Sequence, residues 1–349
     1  MSSPLIDLTP TPGKLRHTVI SSLLGFGLIA GILVYADLSV SQVLDFQLHP
    51  GYVVAYLVTV VAYTVIRAIR LRVMLGLSPK TRLAGALYTQ ATVRDLLPGW
   101  VGEPTLMWLL KRWTGIEFSD SASAIFIYRY VEISLYAYGF VVAAAASVNL
   151  APPSVGIAIG LVVSMLLALP PLVRLSPTLR GLVAKLEASS LASTNKSTQG
   201  GTSPGNLLKR TSATFGRFLH QFIRSSGAIS KPSVYFSALL LTLLGVFTLI
   251  TGFFFVIRAI DPDAGFLFCA IVFALQFPVS ILPLRAIANI GTHELGWVYA
   301  LLLLGLSQSD AAALALQAHL VFLIGTVFKG LCAVIFRPPV STTDDSTRQ

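Results

Sequence analysis

The sequence predicts an all-α polytopic integral membrane protein, with about six full spans and two broken or re-entrant helical elements in two pseudo-repeated halves. Three observations predict it. Hydrophobic residues make up 54% of the chain and charged residues 11%, with a mean hydropathy of +0.77, a balance that soluble globular domains do not show. Apolar runs long enough to cross a bilayer recur along the chain, with basic residues gathered between them. Two other apolar stretches, LPGWVGEPTLMWLLKR at 97–112 and IGTHELGWVYALLLLGL at 290–306, are interrupted by glycine, proline and a glutamate.

The net charge of +10 fits cytoplasmic loops and anionic lipid headgroups rather than nucleic acid, because the basic residues lie between apolar runs. Cys269 and Cys332 sit inside apolar runs without paired or metal-ligand spacing, so they read as small buried hydrophobes.

Residues 1–16 form a predicted cytoplasmic tail, and the apolar run at 17–38 reads as a retained first span rather than a signal peptide, since no small-residue cleavage site follows. Residues 51–75 form a second span ending in Arg67, Arg70, Arg72, Lys80 and Arg82. That basic cluster belongs on the cytoplasmic side. Between 84 and 113 lie two apolar pieces of about 12 and 8 residues, too short to cross a core of about 30 Å at 1.5 Å per residue. They predict a re-entrant hairpin with Pro98, Gly99, Gly102 and Pro104 at its tip, glycine permitting unusual backbone and Pro104 suiting the first turn of a restarted helix.

A span at 121–148 carries Arg129 and Glu132, and another at 155–173 completes a first membrane half over 17–174. Residues 175–232 form a cytoplasmic insertion, and 174–231 hold nine Lys or Arg against Glu187 alone. Its Ser, Thr and Gly-rich middle predicts partial disorder, and 207–223 interleaves apolar and basic residues as an interfacial or solvated helix would. The second half, 233–336, has spans at 234–257 and 265–282, joined by the acidic Asp261-Pro262-Asp263 loop, then a broken element over 283–306 marked by Pro283 and Gly291, then a span at 311–336. Residues 337–349 are a predicted cytoplasmic tail. Counting crossings places both termini and the insertion in the cytoplasm of a multi-pass cell-membrane protein, as the charge bias does.

Irregular backbone at membrane depth is tolerated only when buried in protein or lining a wet cavity, so two breaks imply a cavity. Glu103 and Glu294 each open a short helix, where each caps its helix or meets a substrate or a proton. Arg129 and Glu132, three apart, share a face and either neutralise one another or mark a pathway. Arg67 and Arg70 likewise share a face, either snorkelling to phosphates at the membrane edge or recognising a lipid phosphate within a cavity. Arg285 and His293 bracket the second break and suit an anionic headgroup or a proton relay. His293-Glu294 begins like a zinc-protease helix, but Trp297 stands where the second histidine belongs. With no nucleophile elbow and no Walker loop either, no metal, cofactor or ATP chemistry is expected.

At these residues the chain resembles the membrane domain of the lysylphosphatidylglycerol synthase family, flippase-like proteins that occur alone or fused to an aminoacyl-lipid synthase domain. The likeness spans about 51–335 apart from the insertion. The family's R-x-x-R is matched by Arg67 and Arg70. Its L-P-G-x-x-G-E with a downstream basic residue is matched by Leu97, Pro98, Gly99, Gly102, Glu103 and Arg112. Its E-R-x-x-D is similar to Tyr128, Arg129 and Glu132, and its C-terminal pattern is met by Pro283, Gly291 and Glu294, with Asn289 in place of a glycine and His293 where arginine is common.

The resemblance implies a flippase-like transporter moving a polar or charged headgroup, of a phospholipid, an aminoacyl-phospholipid or a lipid-linked sugar, through a cavity between the two broken elements. Membrane lipids, anionic or lipid-linked, are then its partners. Residues 341–349 leave no room for the synthase domain, so aminoacyl transfer is not expected. Two other readings stay open: a non-transporting scaffold or regulatory subunit of a lipid or glycan synthesis system with a synthase partner, and a lipid-linked transferase using a glutamate as base.

Overall fold

A computed structural model describes residues 27–97, 101–148, 231–276 and 290–338. Pro98, Gly99, Pro283 and Arg285, the span expected at 155–173, nearly all of the basic insertion, the tail at 1–16 and residues 339–349 lie outside them. Regular structure among the described residues is helical throughout. The helices are α1 (27–35), α2 (Val40–Leu44), α3 (Pro50–Leu75), α4 (Ala84–Leu96), α5 (Gly102–Thr114), α6 (Phe118–Val148), α7 (Pro232–Arg258), α8 (Phe266–Leu275), α9 (Thr292–Leu303) and α10 (Gln308–Ile335).

Four of these, α3, α6, α7 and α10, are long and apolar enough to cross a membrane. Their starts follow from local chemistry. Pro50 and Pro232 sit in the first turns of α3 and α7, where a missing N–H costs nothing. Ser307 caps α10 by accepting from the Asp310 amide at 3.1 Å. Gly76, at φ 62°, ends α3 in the left-handed conformation that glycine adopts without strain. Outward residues of these helices are apolar and exposed, as with Val54, Val58 and Val65 on α3 and Leu240, Leu244 and Phe247 on α7. Such a belt suits lipid contact.

Three details depart from the sequence expectation. The second short piece is a 13-residue helix, α5, rather than about 8 residues, because the polar Lys111 and Arg112 continue the helix past its apolar run. The span expected at 265–282 is helical over Phe266–Leu275, with Gln276 at its end, and its remainder lies outside the described residues. The polar stretch before α3 holds a short helix, α2, which Ser39 and Gln42 close as a reciprocal capping box.

Among the described residues, the order long, short, short, long occurs twice around the central α3–α7 pair: α3–α4–α5–α6 and α7–α8–α9–α10. The two central helices run antiparallel, since Gly252 lies against Thr59 whereas Gly245 lies against Tyr63 and Ile66. A Cβ at Gly252 would stand 2.7 Å from Thr59 Oγ1, so glycine sets this close approach. Other contacts come in counterpart pairs. Thus α4 packs on α10 as α8 packs on α6, α5 packs on α6 as α9 packs on α10, and α6 meets α7 as α10 meets α3.

Two apolar cores result. One joins the end of α3 and the start of α7 to α4, α5 and α6. The other joins the start of α3 and the end of α7 to α8, α9 and α10. The molecule's two ends differ in charge. One exposes Lys80, Arg82, Lys111, Arg112 and Arg337 beside Glu117, and the other exposes Asp37, Asp45, Asp261, Asp263 and Asp310. The entry to α4 and the exit from α5 both lie at the basic end, where Lys80, Arg82, Trp113 and Pro338 line one open cavity.

Candidate functional site: two broken elements lined with ion pairs

The restart of the helix at Gly102 puts Glu103 in the first turn of α5. Its carboxylate is ion-paired with Arg129 and accepts a hydrogen bond from the Tyr128 hydroxyl at 3.0 Å. The spacing of three on α6 brings Glu132 to the same guanidinium, Oε2 to Nη1 at 3.0 Å. Glu132 then reaches across to α3, where its Oε1 lies 2.9 Å from Arg70 Nη1. Arg70 also donates to Thr242 Oγ1 on α7 at 3.1 Å, and Arg67, one turn earlier, donates to Gln90 Oε1 on α4 at 2.8 Å. The Tyr128 ring lies under both guanidinium groups, 4.3 Å from Arg70 and 5.4 Å from Arg129.

Exposure grades along this chain of charge. The Arg70 and Glu132 side chains are 2% and 3% accessible, against 31% for Arg129 and 20% for Glu103. Arg67 and Arg70 are therefore not snorkelling at an edge: buried at 4% and 2%, they tie α3 to α4, α6 and α7. The cluster sets three guanidinium groups against two carboxylates. Among the described residues Arg67 meets an amide oxygen and the Tyr63 ring, with its guanidinium 5.6 Å from the ring centroid, and no carboxylate at salt-bridge distance. A buried cation so placed favours an anion.

A second group ties the first break to the last span. Asp95, at the end of α4, is ion-paired with Lys329 of α10, accepts from Thr326 Oγ1 at 3.4 Å, and lies 3.6 Å from Arg94 Nε. Arg94 packs against Gly102, where a Cβ would come within 2.8 Å of its own. This explains the glycine: a side chain would push the restarted helix off α4.

The second break is built on Gly291, whose φ of 82° is open to glycine and strained for other residues. Its amide donates to Glu294 Oε2 at 2.8 Å, and Glu294 Oε1 lies 3.0 Å from His319 Nδ1 on α10. Glu294 thus caps its helix and pairs with a base at once. It is 1% accessible, enclosed by aromatic rings. Trp297 stacks on Phe253 at 4.2 Å between centroids, and the His293 ring meets those of Phe322 and His319 edge-on at 5.1 and 5.6 Å.

The exchange of α5 for α9 and α6 for α10 relates these glutamate pairs. Glu103 and Glu294 both occupy the first turns of their helices, and Arg129 and His319 both lie eleven residues beyond the first residue of theirs. Of the residues singled out in the sequence, Arg67, Arg70, Glu103, Arg129 and Glu132 converge at the first break, and His293 and Glu294 at the second. Arg112 stands apart, exposed and with its guanidinium 5.1 Å from the Trp108 ring. Gln90, Asp95, Thr242, His319 and Lys329 join the site unforeseen, and Tyr128, noted in the sequence only as part of the motif around Arg129, joins it through its hydroxyl and ring. His319 and Lys329 carried a signal, being ionisable residues inside an apolar span. Among the described residues no three of His, Cys, Asp and Glu converge as a metal-binding group.

The family model described as the lysylphosphatidylglycerol synthase TM region matches residues 22–330. No curated protein and no solved structure matches the chain. With that match over most of its length and four apolar helices long enough to span, the chain belongs to the lysylphosphatidylglycerol synthase transmembrane family, as an integral membrane protein.

Proposed function

We propose that this protein is a lipid translocator, passing the polar headgroup of an anionic or lipid-linked amphiphile between two re-entrant hairpins while the tails stay in the bilayer. The observation that carries the reading is the charge cluster at the first break. Three buried or half-buried arginines face two carboxylates, and Arg67 has an amide for its partner. A headgroup phosphate would complete that set, because charge-assisted bonds to a guanidinium are strong where water is scarce. The graded exposure from Arg70 out to Arg129 supplies a polar route towards it.

The topology supports the same reading. With α3 and α7 antiparallel, the two long–short–short–long units are inverted relative to one another, an arrangement that lets one unit rock against the other about a central site. The α4–α5 hairpin dips from the basic end, and α8–α9 from the acidic end. The excess of Lys and Arg at the first end orients it to the cytoplasm. A transporter also fits better than a transferase, since both glutamates are engaged by a cation or an imidazole rather than poised as free bases.

The test is dithionite quenching of fluorescent phospholipids and lipid-linked sugars in proteoliposomes. Wild type is expected to expose the protected pool, and Glu103→Gln combined with Glu294→Gln to retain it. Wild-type vesicles indistinguishable from empty ones across the lipid panel would defeat the reading.

A further inference from the structure

The basic end of the molecule carries a second place where an anion fits, apart from the charge cluster at the first break. The loop from α3 to α4 presents Ser78, Lys80, Thr81 and Arg82 to an open cavity of about 400 Å³, which they share with Trp113 of α5 and Pro338 beyond α10. We infer that this cavity is a binding site for a phosphomonoester, taken either from a lipid headgroup or from solution. The site stands independently of the translocation reading.

Two cations there lack a carboxylate. No acidic residue lines the cavity. Lys80 and Arg82 are exposed, neither has a salt-bridge partner among the described residues, and Glu117 at the same end is closed on Lys111. Nor do they serve to offset helix ends: α3 finishes on Gly76 with Arg72 in its last turn, and α5 on Gly115 with Lys111 and Arg112 in its own. The donors are also held in place. The Thr81 amide donates to the Ser78 carbonyl at 3.0 Å and the Lys80 amide to Ser78 Oγ at 3.3 Å. Arg72 donates to the Thr81 carbonyl at 2.9 Å, and Leu83 is 1% accessible. The loop is thus a pinned turn. Among the described residues the Ser78 and Thr81 hydroxyls have their protons still to give.

The chemistry selects a phosphomonoester over other anions. Its charge at pH 7 is about −1.5 to −2, which two unpaired cations match, whereas a phosphodiester carries a single charge and leaves one cation unanswered. Its three terminal oxygens accept a two-pronged contact from a guanidinium, a point charge from an ammonium and the hydroxyl protons together. A loop that had only to stay on one side of a membrane needs positive charge, but neither concavity nor hydroxyls. Trp113 is half-buried and packs on the core of the first half, as an indole does at headgroup depth, so a lipid phosphate and a solute both reach the cavity. Because Arg82 leads into α4 and Trp113 ends α5, an occupant bridges both ends of the first hairpin.

Native mass spectrometry of the full-length protein in mild detergent, at about 0.15 M salt, tests this. The probes are phosphatidic acid, phosphatidylglycerol as the diester, and glycerol 3-phosphate as the soluble monoester. Wild type should bind phosphatidic acid about tenfold or more tightly than phosphatidylglycerol. Lys80→Gln with Arg82→Gln should weaken that binding about 100-fold while leaving the unfolding temperature without ligand unchanged, since both side chains are exposed. Lys111→Gln with Arg112→Gln removes the same charge from the same end outside the cavity, and should weaken it by about threefold at most, because salt screens exposed charges at a distance. Equal losses in the two double variants, or equal binding of the two lipids, would overturn the proposal in favour of surface charge alone. Glycerol 3-phosphate separates the sources. Binding of the solute without the lipid assigns the site to a solute, binding of the lipid without the solute assigns it to a headgroup, and either result upholds it. Asp344 and Asp345 follow Pro338 closely in the chain and are the rival anions, so Asp344→Asn with Asp345→Asn is assayed beside wild type. A phosphomonoester that binds neither protein defeats the site, whatever the vesicle assay says of lipid movement.

Discussion

Arg70 of α3 and Glu132 of α6 meet at 2.9 Å with both side chains almost wholly out of solvent, 2% and 3% accessible. The bond joins a helix of the central pair to the long helix that follows the first break. It also fixes Glu132 for its second contact, with Arg129.

Removing Glu132 leaves Arg70 without its carboxylate and Arg129 with Glu103 alone. Glu132→Met should destabilise the protein by about 3–5 kcal/mol, the cost of an uncompensated buried charge. Adding Arg70→Met should recover part of that loss, since an apolar pair of similar volume needs no desolvation. A thermal unfolding series in detergent reads both variants, and a double mutant no better than Glu132→Met alone would show that the bond is not what holds α6.

Arg67 should matter to ligand more than to fold. Its partner Gln90 is neutral, so Arg67→Gln leaves an amide pair rather than a stranded ion. Unfolding temperature should move little, while affinity for an anionic headgroup falls by about 10- to 100-fold, the loss of one charged hydrogen bond. Binding of a fluorescent anionic lipid to the protein in nanodiscs measures it.

The Asp95–Lys329 tie makes a charge-exchange prediction. Asp95→Lys alone should be strongly destabilising, since Arg94 and Lys329 both stand beside it. Asp95→Lys with Lys329→Asp should restore most of the unfolding temperature. Two single variants that each lower stability by about 3 kcal/mol and a double that lowers it further would refute the pairing.

Gly325 of α10 is packed against Tyr56 of α3. An added Cβ would come within 2.7 Å of Tyr56 Cε1 and closer still to the hydroxyl. Gly325→Ala should therefore cost about 1–3 kcal/mol by overpacking. Tyr56→Phe in that background removes the nearest atom and should return part of the loss, as a second unfolding curve would show.

The four long helices were legible because length and hydropathy alone decide whether a segment can span. The restart at Gly102–Pro104 was legible too, since glycine and proline report backbone directly. Pairing across helices was not. The spacing of Arg129 and Glu132 places them on one face, but nothing local says that Glu132 also meets Arg70, more than sixty residues away in the chain. His319 and Lys329 were passed over because an apolar run masks single polar positions. Only the packing of α10 on α4 and α9 gives them partners. The burial of Arg67 and Arg70 was equally invisible, since a basic residue near a helix end reads the same whether it faces headgroups or a core.

His319, Thr326 and Lys329 lie along one side of α10, and the first and last are ten residues apart, about 15 Å along a helix. The first is gripped by the element that restarts at Gly291, the last by the element that stops before Gly102. One helix is thus held at two points, by α9 and by α4. A substitution at either contact is therefore read by a helix that packs on α4 and on α9 alike.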